Sequence, residues 1–182
     1  IAAQVAGVRT QLEQARAEAK LGHYKAALAL AQPADAAARA SGYMAVIGEA
    51  GLELGRLQQQ LGDGKAAGTL RDAMHVAEQA GDNATMIDAS AWLVFTLTTH
   101  TSQYDRAQEV AGFAEAAADH QRPPADIYVR LQDTIALLDA TQGHYEAAQA
   151  RYEKTLALAE EKLGKDHAGV MTTLNQLATV YR

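Results

Sequence analysis

Gly22-His-Tyr24-Lys-Ala-Ala27 returns as Ser102-Gln-Tyr104-Asp-Arg-Ala107 and again as Gly143-His-Tyr145-Glu-Ala-Ala148. A degenerate copy, Gly62-Asp-Gly64-Lys-Ala-Ala67, falls between the first two. The steps from 22 to 62, from 62 to 102 and from 102 to 143 are 40, 40 and 41 residues. Four copies at a nearly constant period mark a repeat architecture, in which each copy is one supersecondary unit that cannot bury its apolar face alone.

Each of these anchors separates two amphipathic stretches of helix length. A glycine there can take the left-handed conformation that ends one helix, and Asp or Ser nearby can cap the next. The tyrosine, just inside the second helix, is expected to wedge into the angle of the pair. The alanine three residues on lies on the same face and lets two backbones come close. The spacing predicts helix pairs at about 2–21 with 24–40, 43–61 with 64–80, 83–100 with 103–119, and 123–142 with 145–163. A ninth helix is expected from near Ala168, after the turn at 163–167. Pro33 is expected to kink or restart the second helix of pair 1, because its ring removes a hydrogen bond and clashes with the preceding turn.

Composition agrees with an all-α chain. Of 182 residues, 48% are hydrophobic but only 5% aromatic, so Ala and Leu, both strong helix formers, supply the apolar content. There are three prolines and no cysteine, which leaves no disulfide or thiolate chemistry. The net charge of −6 and the lack of any basic run argue against a nucleic-acid surface. No stretch approaches the ~20 apolar residues of a membrane helix, and no signal peptide is visible. The expectation is a soluble, cytoplasmic segment, without membrane contact of its own, excised from a longer protein.

The turn motif, together with Thr173-Leu-Asn-Gln-Leu-Ala-Thr-Val-Tyr181, resembles the tetratricopeptide repeat family over the whole chain. The stretch from Leu156 through Val170 to Leu177 is similar to the roughly 42-residue repeats of kinesin light chains and many bacterial proteins. The Ala-rich opening and the Ala91-Trp92 helix are similar to the C-terminal repeat arrays of Hanks-type serine/threonine kinases of myxobacterial type. The resemblance implies a single array over 1–182, a right-handed α-α superhelix (TPR-like solenoid) of about four and a half helix pairs. Its repeats would cover about 2–40, 43–80, 83–119, 123–163 and a partial 168–182. The alternative architecture is a generic helical bundle. Two departures stand out. Pair 2 has Gly64 in the tyrosine position and a turn one residue short, and Phe95 occupies a packing position of pair 3 that usually holds a small residue. The second leaves the register of pair 3 open by one residue.

Stacked pairs make a concave groove lined by the first helix of each pair, the surface such folds use for extended or helical peptides. Positions 13, 10, 6 and 2 before each anchor share one face of that helix. They are Arg9, Leu12, Arg16 and Lys20 in pair 1, and Glu49, Leu52, Arg56 and Gln60 in pair 2. Pair 3 gives Ala89, Trp92, Thr96 and His100, and pair 4 gives Arg130, Asp133, Leu137 and Thr141. The ninth helix adds Thr172, Asn175 and Thr179. Five of these are basic and two acidic, a positive face in an acidic chain. The partner expected is a protein or peptide, acidic and bearing an aromatic residue, gripped by arginines with Trp92 as a flat anchor. The competing reading makes these ordinary solvated helix faces with Trp92 in the core.

No reaction assembles from the remaining residues, so no catalytic group, metal or cofactor is expected. The six histidines are scattered, and none forms the His-x-x-x-His pair of a zinc-binding helix. Gly62-Asp-Gly64-Lys65 lacks the first glycine and the final Ser/Thr of a phosphate loop, with Gln59 and Ala66 in their places. No Gly-x-Ser-x-Gly elbow occurs. Glu160-Glu161 beside Lys162 reads as a solvated flank. Three functions stay open. The first is a protein-binding scaffold, read as the recruitment or sensor region of a bacterial signalling kinase. The second is a self-association (homo-oligomerisation) module, continuing the array through exposed faces at Ile1 and Arg182. The third is a small-molecule-sensing repeat.

Overall fold

The computed structural model describes residues 2–181, and among them every regular element is a helix. In order these are α1 (Ala2–Lys20), α2 (Tyr24–Ser41), α3 (Met44–Gln60), α4 (Ala66–Ala80), α5 (Asn83–Thr99), α6 (Tyr104–Gln121), α7 (Ala125–Thr141), α8 (Tyr145–Leu163) and α9 (Ala168–Val180). They fall into two compact units, Ile1–Ala89 and Ser90–Arg182, divided within α5. No helix among the described residues is long and apolar enough to cross a membrane.

In the first unit, alanine decides the packing. Val8 and Leu12 of α1 meet Ala34 and Ala38 of α2, with Val46 and Ala50 of α3 closing the cluster. One turn further along α1, Ala15 meets Ala27 and Ala31, so the two helices run antiparallel. Pro33 does not interrupt α2, which continues from Tyr24 to Ser41. Pro33 and Ala29, the residue whose carbonyl loses its donor, both lie on the exposed side, where water can replace the missing bond. The α3–α4 contact is closer still. An ideal Cβ on Gly48, Gly51 or Gly55 would stand 3.3, 3.1 and 2.6 Å from Ala77, Ala73 and Leu70 of α4.

The second unit uses larger residues for the same purpose. Tyr152 of α8 is fully buried among Ala136 of α7, Ala148 of its own helix and Leu177 of α9. Val129, Ala159 and Val170 continue that core along the same three helices.

Helix ends follow the glycines. Gly22, Gly62 and Gly143 have φ of +79°, +69° and +85°, a conformation that other residues adopt only with strain. In each case the next backbone N–H reaches back five residues: His23 to Glu18, Asp63 to Gln58, His144 to Asp139. That is the Schellman closure. The third anchor differs. Ser102 takes φ +53°, and Gln103 N–H reaches back six residues to Leu97, so this turn holds one extra residue.

The alanine of the turn motif packs as its position demands: Ala27, Ala107 and Ala148 are wholly buried. In pair 2, Ala66 is buried in place of Ala67, because the turn there is one residue short and α4 starts at Ala66. Two of the three motif tyrosines do not wedge between helices, and the third, Tyr104, is half-buried. Tyr24 and Tyr145 are 36% and 60% exposed, since the first residue of the second helix points outward from the pair.

Candidate protein-binding faces

The face shared by α1 and α3 carries a charge network. Arg9 donates through Nε and Nη2 to the Glu49 carboxylate, at 3.0 and 2.6 Å. Deeper in, Glu53 is 3% exposed and holds two arginines. Arg16 Nε donates to one of its oxygens at 3.2 Å and Arg56 Nη2 to the other at 2.6 Å. Arg16 Nη1 also donates to Glu13 at 2.6 Å. Lys20 and Gln60 are both exposed beside them.

This arrangement corrects the expected basic groove in two ways. Leu12 and Leu52 belong to the buried core and present nothing to a ligand, because their positions face the neighbouring helices. The cations Arg9, Arg16, Lys20 and Arg56 are opposed by three carboxylates, Glu13, Glu49 and Glu53, which leaves one net positive charge. Glu53 and Glu13 stand one position off the row read from the sequence. The signal that could have found them is the pairing rule for acids three residues from an arginine, met by Glu13–Arg16 and Glu53–Arg56.

In the second unit the extra residue of the Ser102 turn moves α5 by one position relative to its anchor. Positions 88, 92, 95 and 99, which the unshifted register would bury, are half-buried or exposed, whereas Ile87, Ala91, Val94 and Thr98 are among the many buried residues of this helix. Thr96 and Ala89 are therefore buried, and His100 lies beyond the helix end. Trp92 is half-buried, neither open to a groove nor lost in the core. Arg130 of α7 lies over its ring at 5.5 Å, and Phe95 meets it edge-on with ring centres 6.1 Å apart. Its indole N–H is enclosed without a hydrogen-bond partner. The ring is therefore a covered cation–π stack and not the open flat anchor expected.

Asp133 also leaves the predicted row. It is 8% exposed, and Thr173 of α9 lies 2.7 Å from its Oδ2. Leu137 is half-buried and Thr141 exposed. On α9, Thr172, Asn175 and Thr179 are exposed or nearly so, and both threonine hydroxyls are bonded to the helix backbone one turn back.

A cleft of about 610 Å³ opens between α6, α7 and α8. Arg151 is its hub, donating through Nη1 to Glu115 at 2.5 Å and to Gln132 at 2.6 Å, with Asp139 3.6 Å from Nε. Burial raises the Tyr128 hydroxyl and the Asp139 carboxyl above their usual ranges, Arg151 opposing both shifts. No local sign of this cleft exists in the sequence, because its lining comes from three helices and has no common spacing. Among the described residues no group of three or more His, Cys, Asp or Glu is placed to hold a metal ion.

Residues 127–182 match the family model described as tetratricopeptide repeat. The fold is a tetratricopeptide-type helical repeat. Two solved structures of nearly identical TPR-like repeats, from a Podosopora anserina protein described as of kinesin light chain type, extend the likeness beyond that segment. The first superposes with a TM-score of 0.70 at 18% identity, covering 97% of this chain and 86% of the other. A single-residue variant of the same protein gives 0.71 at 17% identity with the same coverage. At that identity the likeness is one of fold alone. Residues 46–100 match a second family model, anaphase-promoting complex subunit 5. No curated protein matches the sequence. Tetratricopeptide repeats as a class mediate protein–protein contacts.

Proposed function

We propose that this repeat segment is a scaffold that grips an acidic segment of a partner protein through Arg16, Arg56 and Lys20. The observation carrying the proposal is buried Glu53 between the two arginines. It occupies Nε of Arg16 and Nη2 of Arg56, and Glu13 occupies Nη1 of Arg16. A guanidinium has five N–H donors, so each arginine keeps donors for a second carboxylate while its side chain is already held in place. Affinity is gained because the ordering cost is met before binding. The wider setting proposed is the recruitment region of a larger bacterial signalling protein such as a serine/threonine kinase, which rests on the sequence resemblance of the opening and Ala91-Trp92 helices.

Acidic peptides bearing one aromatic residue, titrated against the protein by fluorescence anisotropy at low and high salt, test this reading. Charge reversal of Arg16 or Arg56 would break the Glu53 network as well, so Lys20→Glu, outside that network, is the informative variant. It should weaken binding about three- to tenfold at low salt and little at high salt. Equal binding by both proteins at low salt refutes the acidic partner.

A second reading, self-association, is favoured by α9. Met171 and Leu174 are 54% and 39% exposed, and Ala178 is exposed with them. Counting from the anchors, these positions correspond to Gly48, Gly51 and Gly55 of α3, which α4 covers. The end residues Ile1 and Arg182, expected to carry such contacts, lie outside the described residues.

A further inference from the structure

Thr173 has one hydroxyl proton and two close acceptors. Its Oγ1 lies 2.7 Å from Asp133 Oδ2 and 3.0 Å from the carbonyl of Gly169, one turn back on α9. If Asp133 is a carboxylate, one of these contacts has no hydrogen in it, and Oδ1 is buried with no partner at all. If Asp133 is a carboxylic acid, the chain closes: its O–H donates to Thr173 Oγ1, and Thr173 donates to Gly169. Both short contacts are then hydrogen bonds, and no charge is enclosed. We propose that Asp133 and Thr173 form a protonation-controlled latch, in which the acid form holds α9 on α7 and ionisation loosens it.

The surroundings favour the acid form. Within the unit, residues 90–99 of α5 and the whole of α9 carry no ionisable side chain. From α8 the titratable group facing Asp133 is Tyr152, itself fully buried and pushed upward by burial and by the Asp133 charge. On α7 the charged neighbours are Arg130, one turn away and engaged with Trp92 and Asp126, and Asp139, engaged with Arg151. Burial accordingly pushes the Asp133 carboxyl up to about 7, against the smaller opposite pull of the Thr173 hydroxyl.

The sign follows from linkage. With its value raised when α9 is docked and ordinary (~3.9) when α9 is open, Asp133 stabilises docking fully below about pH 4, and that stabilisation is lost as pH rises through about 7. Between about pH 5.5 and about pH 8.5 the opening equilibrium of α9 should therefore rise about 30-fold.

Hydrogen exchange of the α9 amides, corrected for the intrinsic pH dependence of exchange and referenced to α2, measures this directly. The intact chain should show that rise, and Asp133→Asn, whose amide can donate to Thr173 at every pH, should show a flat profile. A flat profile in the unaltered protein, or the same rise in the Asn variant, overturns the latch. Should the variant fail to fold, carboxyl carbon NMR of the unaltered protein decides. A midpoint near 7 for Asp133 supports the latch, and one below about 5 overturns it.

Discussion

Glu53 and Arg9 take part in ion pairs of similar length and very different consequence. Glu53 is almost wholly enclosed and serves two arginines, whereas the Arg9–Glu49 pair has half of its Arg9 side chain in solvent. Removing the buried charge leaves two part-buried cations without their acceptor, while an exposed pair exchanges its partner for water. Glu53→Gln should therefore cost about 2–3 kcal/mol, and Arg9→Ala less than about 1 kcal/mol. Urea midpoints of the two variants check the contrast. Residue roles were the least legible part of the sequence. Helical spacing put Arg16 and Arg56 on one face, but Asp133 shared that pattern and turned inward to Thr173, a residue 40 positions away.

Helices, by contrast, were legible almost to the residue, because each is written locally in its apolar period and its terminating turn. Where the reading slipped, a single inserted residue was responsible. The Ser102 turn closes over six residues, and it moves the whole inward face of α5, a change no local propensity reports. The glycines of α3 show the opposite dependence. In isolation Gly55 only weakens its helix, yet it marks the closest approach to α4, with Leu70 Cγ 2.6 Å from the site of a Cβ. Gly55→Ala should lose about 1–2 kcal/mol despite a helix-propensity gain of about 1 kcal/mol. Gly68→Ala, in α4 with open space around it, should keep that gain. Thermal or urea denaturation of both variants separates packing from propensity.

For the whole molecule, the balance between binding a different protein and binding a second copy turns on α9. Its Met171, Leu174 and Ala178 lie uncovered, and Tyr181 is anchored beside them through its hydroxyl, which donates to Glu153 at 2.7 Å. If that face joins two copies, Met171→Glu with Leu174→Glu should shift sedimentation from dimer to monomer without altering helix content. A monomer before and after the change rejects self-association and leaves the α1–α3 face as the binding surface.

The sequence by itself determined the helical class, the repeat and the positions of the turns, since glycine, alanine and apolar periodicity act over a few residues. Only the tertiary structure decided which charges face a partner and which face each other. Glu53 pairs with Arg16 across helices and with Arg56 on its own helix, Arg130 covers Trp92, and Asp133 answers to Thr173. Coulombic and hydrogen-bond partners are chosen by distance in space, and a repeat brings together residues about one period apart whose pairing no local pattern records.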